Sequence, residues 1–239
     1  MNIGVIFAGG VGSRMRSEGK PKQFLELHGK PILIHTLEHF EHSEKIDGII
    51  LVMLESWIPY TQRLLERFQI TKVRAVIAGG SSGQESIFFG LRETAELFPE
   101  DSVVLLHDGV RPLIDEKTLE RCIDCVEKNG NAITVSPAIE TVALMSEDGC
   151  VGKILPRSEC QIAKAPQCFR LRDIYASHCK ARAEGRVDFI DSASMMQYYG
   201  YKLHTVEGSV ENIKITTPAD FYIFRAIIDA RENSQVFGL

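Results

Sequence analysis

The run Phe7-Ala8-Gly9-Gly10-Val11-Gly12-Ser13-Arg14-Met15 joins glycines to a basic side chain directly after an apolar stretch. Glycines let successive backbone N–H groups turn towards an anion with no Cβ in the way. Gly9, Gly10, Gly12 and Ser13 are therefore candidates to cradle a polyphosphate, and Arg14 adds fixed positive charge. The run is not a P-loop, because Gly-Lys-Ser/Thr is missing, and Met15 stands where a dinucleotide fingerprint needs its third small residue. Read alone, the loop is also compatible with a plain strand-to-helix turn. Gly19-Lys20-Pro21-Lys22-Gln23-Phe24 follows. Pro21 stiffens the backbone before Lys22, which holds that lysine within reach of an α-phosphate.

Two later segments have matching chemistry. Residues 78–86 are rich in glycine and serine, and Gly80, Ser81 and Ser86 suit close approach of a base or ribose near a helix N-terminus. In Leu106-His107-Asp108-Gly109-Val110-Arg111-Pro112, Asp108 ends a buried strand beside Gly109. A carboxylate there is placed to hold Mg²⁺ next to phosphates, and Arg111 adds a second charge of the right sign for an anion. The plainer alternatives are a turn cap for Asp108 and a surface ion pair for Arg111. His107 reads as a packed, hydrogen-bonded histidine.

These loops need strands to present them. Residues 3–8, 49–54, 73–78 and 103–107 are short Val/Ile/Leu-rich runs, the pattern of strands buried on both faces. Residues 32–40, 58–68 and 85–97 between them repeat apolar positions at helical spacing. This order predicts an α/β fold with a mostly parallel sheet and helices on both faces. Right-handed crossovers then bring the loops after the strands to one edge. The pattern changes beyond Asn131. Residues 132–135 read as a strand, and residues 141–145 and 151–155 flank the turn Ser146-Glu147-Asp148-Gly149. No helix intervenes, so a β-hairpin arm over about residues 138–160 is expected to project from the sheet. Residues 173–184, 192–199 and 218–231 read as helices and 203–206 as a strand. A single domain over residues 1–239, with the arm, fits better than two.

The chain has 239 residues, with 27 Lys+Arg against 32 Asp+Glu and a formal charge of −5. That balance excludes a general nucleic-acid coat, which needs excess basic charge. No apolar run approaches a membrane span, and the N-terminus reads as a first strand, not a signal peptide. The six cysteines include a lone Cys122-x-x-Cys125 in a helical pattern, which points to reduced, structural thiols and a cytoplasmic protein. Residues 1–30 hold five basic residues and two acidic ones, a local +3 that leaves −8 for the rest.

Ala8-Gly9-Gly10-x-Gly12-x-Arg14-Met15, Pro21-Lys22-Gln23-Phe24, Gly29-Lys30-Pro31, Ala78-Gly79-Gly80, His107-Asp108-x-x-Arg111-Pro112, Ala165-Pro166-Gln167-x-Phe169 and Asn212-Ile213-Lys214-Ile215-Thr216-Thr217-Pro218 occur in that order. Together they resemble the cytidylyltransferases acting on methylerythritol phosphate and on ribitol phosphate, over nearly the whole chain. The resemblance implies a Rossmann-like nucleotidyltransferase fold and a homodimer joined through the β-arms. It implies that CTP meets Ala8, Gly9, Gly80 and Ser86, that Arg14 and Lys22 hold the triphosphate, and that Asp108 holds Mg²⁺. Arg111, Thr141, Arg157 and Lys214 would meet the acceptor phosphate, some of them across the dimer. The expected reaction is CMP transfer from CTP to a polyol phosphate with release of pyrophosphate; no nucleic acid or membrane takes part.

The sequence departs from the family pattern at Gly83, where Arg is common, at Ala165, where Thr is common, and at Glu140, where Asp is usual. Ala8-Gly9-Gly10 looks more like the ribitol phosphate branch, which feeds cell-wall or capsule polysaccharide. The methylerythritol branch, which feeds isoprenoid synthesis, is the alternative. A sugar-1-phosphate nucleotidyltransferase, a non-catalytic nucleotide-binding scaffold and an NAD dehydrogenase fit the motifs less well.

Overall fold

The structure is a computed structural model that describes residues 1–10 and 19–237. The strand β1 (Asn2–Ala8) precedes a short hairpin, β2 (Glu26–Leu27) and β3 (Lys30–Pro31), and the helix α1 (Ile32–His42). Then β4 (Gly48–Met53), α2 (Ile58–Arg67), β5 (Val73–Ala78), α3 (Gly83–Leu97), β6 (Val103–Asp108) and α4 (Glu116–Asn129) alternate. The later part holds β7 (Asn131–Pro137), β8 (Ala143–Met145), β9 (Val151–Ile154), β10 (Gln161–Arg170), α5 (Leu171–Ala183), α6 (Ser192–Tyr198), β11 (Thr205–Glu207) and α7 (Pro218–Phe237).

Seven strands form one sheet in the order β11-β7-β10-β6-β1-β4-β5. All neighbouring pairs are parallel except those of β10, which is antiparallel to both β6 and β7. Alternate strand residues face opposite layers, as the pleat requires. Ile6, Leu51 and Leu105 pack under α1, α2 and α4, whereas Val5, Val52 and Val104 pack under α3, α5 and α6. Gly90 of α3 lies so close to the sheet that a Cβ would meet Val5 Cγ1 at 2.7 Å and Val52 Cγ2 at 2.9 Å. That close approach fixes the N-terminus of α3, and with it the loop after β5.

A third apolar cluster joins Leu27, Ile32, Val110, Leu113, Ile215 and Phe224. It seats α7 and the segment before it against the loop after β6. The Ile215 N–H donates to Val110 O at 2.9 Å, so neighbouring Lys214 is brought to the end of β6.

The four early strands and their helices match the sequence expectation to within two residues at each end. The strand expected over 203–206 is displaced to Thr205–Glu207, and the last helix runs to Phe237. The expected hairpin is present: β8 and β9 pair antiparallel as a separate two-stranded sheet with every residue exposed. The strand β10 has no counterpart in the sequence reading. Its Gln161-Ile162-Ala163 start is exposed, with polar and apolar residues mixed, and Pro166, after a cis peptide bond, accompanies a register shift between Ala163 and Gln167. Proline inside an apparent strand argues against one, and here the bulge accommodates it.

Candidate functional site

Segments from several parts of the chain enclose a cleft of about 1010 Å³ at one edge of the sheet. The C-terminal end of β1 supplies Ala8, Gly9 and Gly10 to its lining. Gln23 Nε2 donates to Ala8 O at 2.5 Å, tying Pro21-Lys22-Gln23-Phe24 to that strand end. Phe24 is fully buried and stacks on Trp57 with ring centroids 4.8 Å apart, so the Lys22–Phe24 turn is anchored beneath the cleft. Lys22 lines the cleft; its Nζ donates to Ile215 O at 3.0 Å, and a Cβ on Gly10 would lie 3.9 Å from its Cε.

The loop after β5 lies across the cleft. Ser86 Oγ accepts from the Gly80 N–H at 3.0 Å and donates to Ser82 O at 2.9 Å. Glu85 accepts from both the N–H and the hydroxyl of Ser81 at 2.8 Å. Ser82 caps α3 by accepting from Glu85 N. A Cβ at Gly80 would come within 2.3 Å of Glu85 Cγ, so this position has room only for glycine while Glu85 stays in place. A backbone held by this many local bonds presents a rigid wall.

Asp108 is the centre of charge. Its Oδ1 lies 2.7 Å from Lys214 Nζ and its Oδ2 2.8 Å from Arg111 Nε, with 24% of the side chain exposed. Burial works against its charge, but Lys214 and Arg111 outweigh burial and hold the carboxyl at about 2. Arg111 also donates from Nη1 to Asn212 O at 2.9 Å. Next to it, His107 is buried; burial pushes it down to about 3 despite the neighbouring Asp108, so it is neutral. It accordingly packs against Phe40 and stays out of the charge network.

Of the residues expected from sequence, Ala8, Gly9, Gly10, Lys22, Gly80, Ser81, Ser86, Asp108, Arg111 and Lys214 line this one cleft. Gly109 does not line it. It is packed beneath the end of β1, where a Cβ would meet Leu33, Ala8 and Phe7 O at 3.0–3.2 Å. Thr141 and Arg157 are exposed on the arm and lie outside the lining, with Arg157 Nη1 donating to Ile139 O at 3.0 Å. Gly12, Ser13 and Arg14 lie outside the described residues.

Among the lining residues that the sequence reading gave no site role, Lys164 and Gln167 stand out. Lys164 precedes the Ala165-Pro166-Gln167 motif and also lines the cleft. Gln167 donates to Asp191 Oδ2 at 2.7 Å and accepts from Ala193 N at 2.9 Å, so it fixes the segment between α5 and α6 against β10. The motif was visible in the sequence; which of its side chains face the cleft depended on a strand that was not.

The arrangement places cationic side chains around one carboxylate between two glycine-rich loops. A family model for 2-C-methyl-D-erythritol 4-phosphate cytidylyltransferase matches residues 3–230. The chain belongs to this family. A ribitol-5-phosphate cytidylyltransferase of Streptococcus agalactiae is 51% identical over 239 residues, all of both chains. A 2-C-methyl-D-erythritol 4-phosphate cytidylyltransferase of Clostridium acetobutylicum is 37% identical over 98% of this chain and 99% of the other. The crystal structure of 4-diphosphocytidyl-2C-methyl-D-erythritol synthase from Anaerococcus prevotii superposes with a TM-score of 0.83 at 28% identity, covering 95% of this chain and 96% of that one. The fold is thus the Rossmann-like nucleotidyltransferase fold, and the protein is a nucleotidyltransferase enzyme. No helix among the described residues is long and apolar enough to cross a membrane.

Proposed function

We propose that this enzyme transfers CMP from CTP to D-ribitol 5-phosphate, giving CDP-ribitol and pyrophosphate. The observation that carries the reading is the convergence of Lys22, Arg111 and Lys214 in one cleft with Asp108. The full-length identity to a ribitol-5-phosphate cytidylyltransferase selects the acceptor.

In the reaction an oxygen of the acceptor phosphate attacks the α-phosphorus of CTP. A new P–O bond forms, the bond from the α-phosphorus to the bridging oxygen breaks, and pyrophosphate leaves. A phosphate monoester is already a nucleophile near neutral pH, so the step needs no strong general base. The obstacle is the approach of two polyanions, and fixed cations in a partly enclosed cleft meet it by positioning and charge stabilisation. Ala8, Gly9, Gly10, Gly80, Ser81 and Ser86 hold the nucleotide. Lys22, with Arg14, holds the triphosphate. Arg111 and Lys214 hold the acceptor phosphate, and Lys214 reaches between the two.

Asp108 fits a divalent cation. It is ionised, and each oxygen has one cationic partner and a lone pair to spare. One carboxylate plus substrate phosphates is a usual Mg²⁺ environment. A cation bound there supplies further neutralisation of phosphate charge. Thr141 and Arg157 reach an acceptor site as members of a homodimer joined through the hairpin over residues 138–160, an extension of the single domain. The reading also assigns the enzyme to the cytoplasm, where CTP is available and free thiols persist.

The test is pyrophosphate release by the purified protein with CTP, Mg²⁺ and either ribitol 5-phosphate or methylerythritol phosphate. Release with ribitol 5-phosphate is the expected result. Release with methylerythritol phosphate alone moves the enzyme to the other branch, and release with neither overturns the reading.

A further inference from the structure

Lys164 stands near the start of β10, which runs antiparallel to β6 and so brings its first residues to the edge where β6 ends in Asp108. Its Nζ donates to Val210 O at 2.9 Å and to Asn212 O at 3.4 Å. Asn212 O is the same oxygen that accepts from Arg111 Nη1 at 2.9 Å. Two cationic side chains therefore share one neutral carbonyl at the wall of the cleft.

Arg111 and Lys214 each have Asp108 as counter-charge. Among the described residues, no carboxylate lies within ion-pair distance of Lys164. Of the other acids lining the cleft, Asp191 accepts from Gln167 and caps α6. Burial, followed by the charge of Arg111, pushes the Lys164 ammonium below its ordinary range. The link between β10 and residues 210–212 is already made by Asn212 Nδ2, which is buried and donates to Ala165 O at 2.7 Å.

A half-buried cation with no counter-charge, beside an arginine in a cleft for anions, is a site waiting for negative charge. We propose that Lys164 binds the phosphate of the acceptor, forming with Arg111 an anion subsite on the β10 side of the cleft. The inference rests on the functional reading above and adds a specificity-determining residue to it. The nucleotide enters from the side of β1 and the loop after β5, so Lys164 acts on the acceptor and not on CTP.

The experiment compares wild type, Lys164→Gln and Lys164→Arg by steady-state pyrophosphate release, varying CTP and the acceptor in turn, with thermal melting alongside. For Lys164→Gln the acceptor KM rises about tenfold, the scale of one charge-assisted hydrogen bond. The CTP KM stays within twofold, the melting temperature is unchanged, and Lys164→Arg recovers most of the loss. An acceptor KM within twofold of wild type in Lys164→Gln overturns the inference. So does a parallel rise of both KM values with a lowered melting temperature, which marks a structural role. Wild type that releases no pyrophosphate with either acceptor overturns the functional reading and this inference with it. Wild type that turns over beside an unchanged variant overturns this inference alone.

Discussion

His178 on α5 is buried, and neither ring nitrogen has a hydrogen-bond partner. Burial pushes it down to about 4, helped by nearby Arg182, from an ordinary value of 6.5. His107, with Nδ1 also unpartnered, is pushed down to about 3. Both are neutral in the folded protein at pH 5, whereas both are protonated in the unfolded chain. The unfolded state then binds more protons, so stability is fully present above pH 6.5 and is lost as pH falls towards 4 for His178 and 3 for His107. At pH 5 each histidine costs about 2 kcal/mol relative to pH 8, from the ratio of protonated fractions in the two states. The pair removes a large part of the roughly 5–15 kcal/mol typical of a folded domain. Leucine has nearly the volume of histidine and no proton to bind. In His178→Leu, urea unfolding at pH 8, 6.5 and 5 is expected to show about 2 kcal/mol less acid destabilisation than wild type. An identical pH dependence in the two proteins refutes the assignment of His178 as a buried neutral base.

Lys22→Ala is expected to lower kcat by about 100-fold or more, the scale of one lost charge-stabilising donor, with an unchanged far-ultraviolet circular dichroism spectrum. Turnover near wild type in the folded variant removes Lys22 from the triphosphate site. On the arm, Leu144, Met145, Val151 and Ile154 are 51%, 65%, 61% and 62% exposed, apolar side chains that suit an interface. If the proposed dimer forms through the arm, Met145→Glu with Ile154→Glu is expected to convert it to a monomer in analytical ultracentrifugation and to weaken acceptor binding. An unchanged mass argues against the arm as the dimer contact.

The parallel part of the fold was legible because its signals are local. Each strand of β1, β4, β5 and β6 is a short run rich in Val, Ile and Leu, and each loop after it carries its own glycine or acid. β10 was not legible, because its exposed first half pairs only with β7 and its second half depends on a bulge at Pro166. Hidden with β10 were Lys164, whose neighbours Arg111 and Asn212 are distant in sequence, and the role of Gln167 in holding residues 191–193. Gly109 illustrates the converse. Its type was rightly noticed, but what demands glycine is contact with Leu33 and the end of β1, a packing constraint that no loop motif discloses.

Among the described residues, the charge of the cleft is drawn from several parts of the chain. The local +3 of residues 1–30 points to a basic mouth built by the N-terminus. In the folded protein Lys20 pairs with Glu26 at 3.0 Å and Lys30 with Glu38 at 2.6 Å, both away from the cleft. Lys22 alone among the described basic residues of that segment lines it. Arg111, Lys164 and Lys214 come from three later segments, each delivered by a different device: the end of a parallel strand, the start of an antiparallel one, and a loop pinned by Ile215. This division matches the chemistry. On the proposed reading, the triphosphate meets Gly9, Gly10 and Lys22, while Arg111, Lys164 and Lys214 serve the acceptor phosphate. On that reading the two anions meet near Asp108, where positioning favours in-line attack of one on the other.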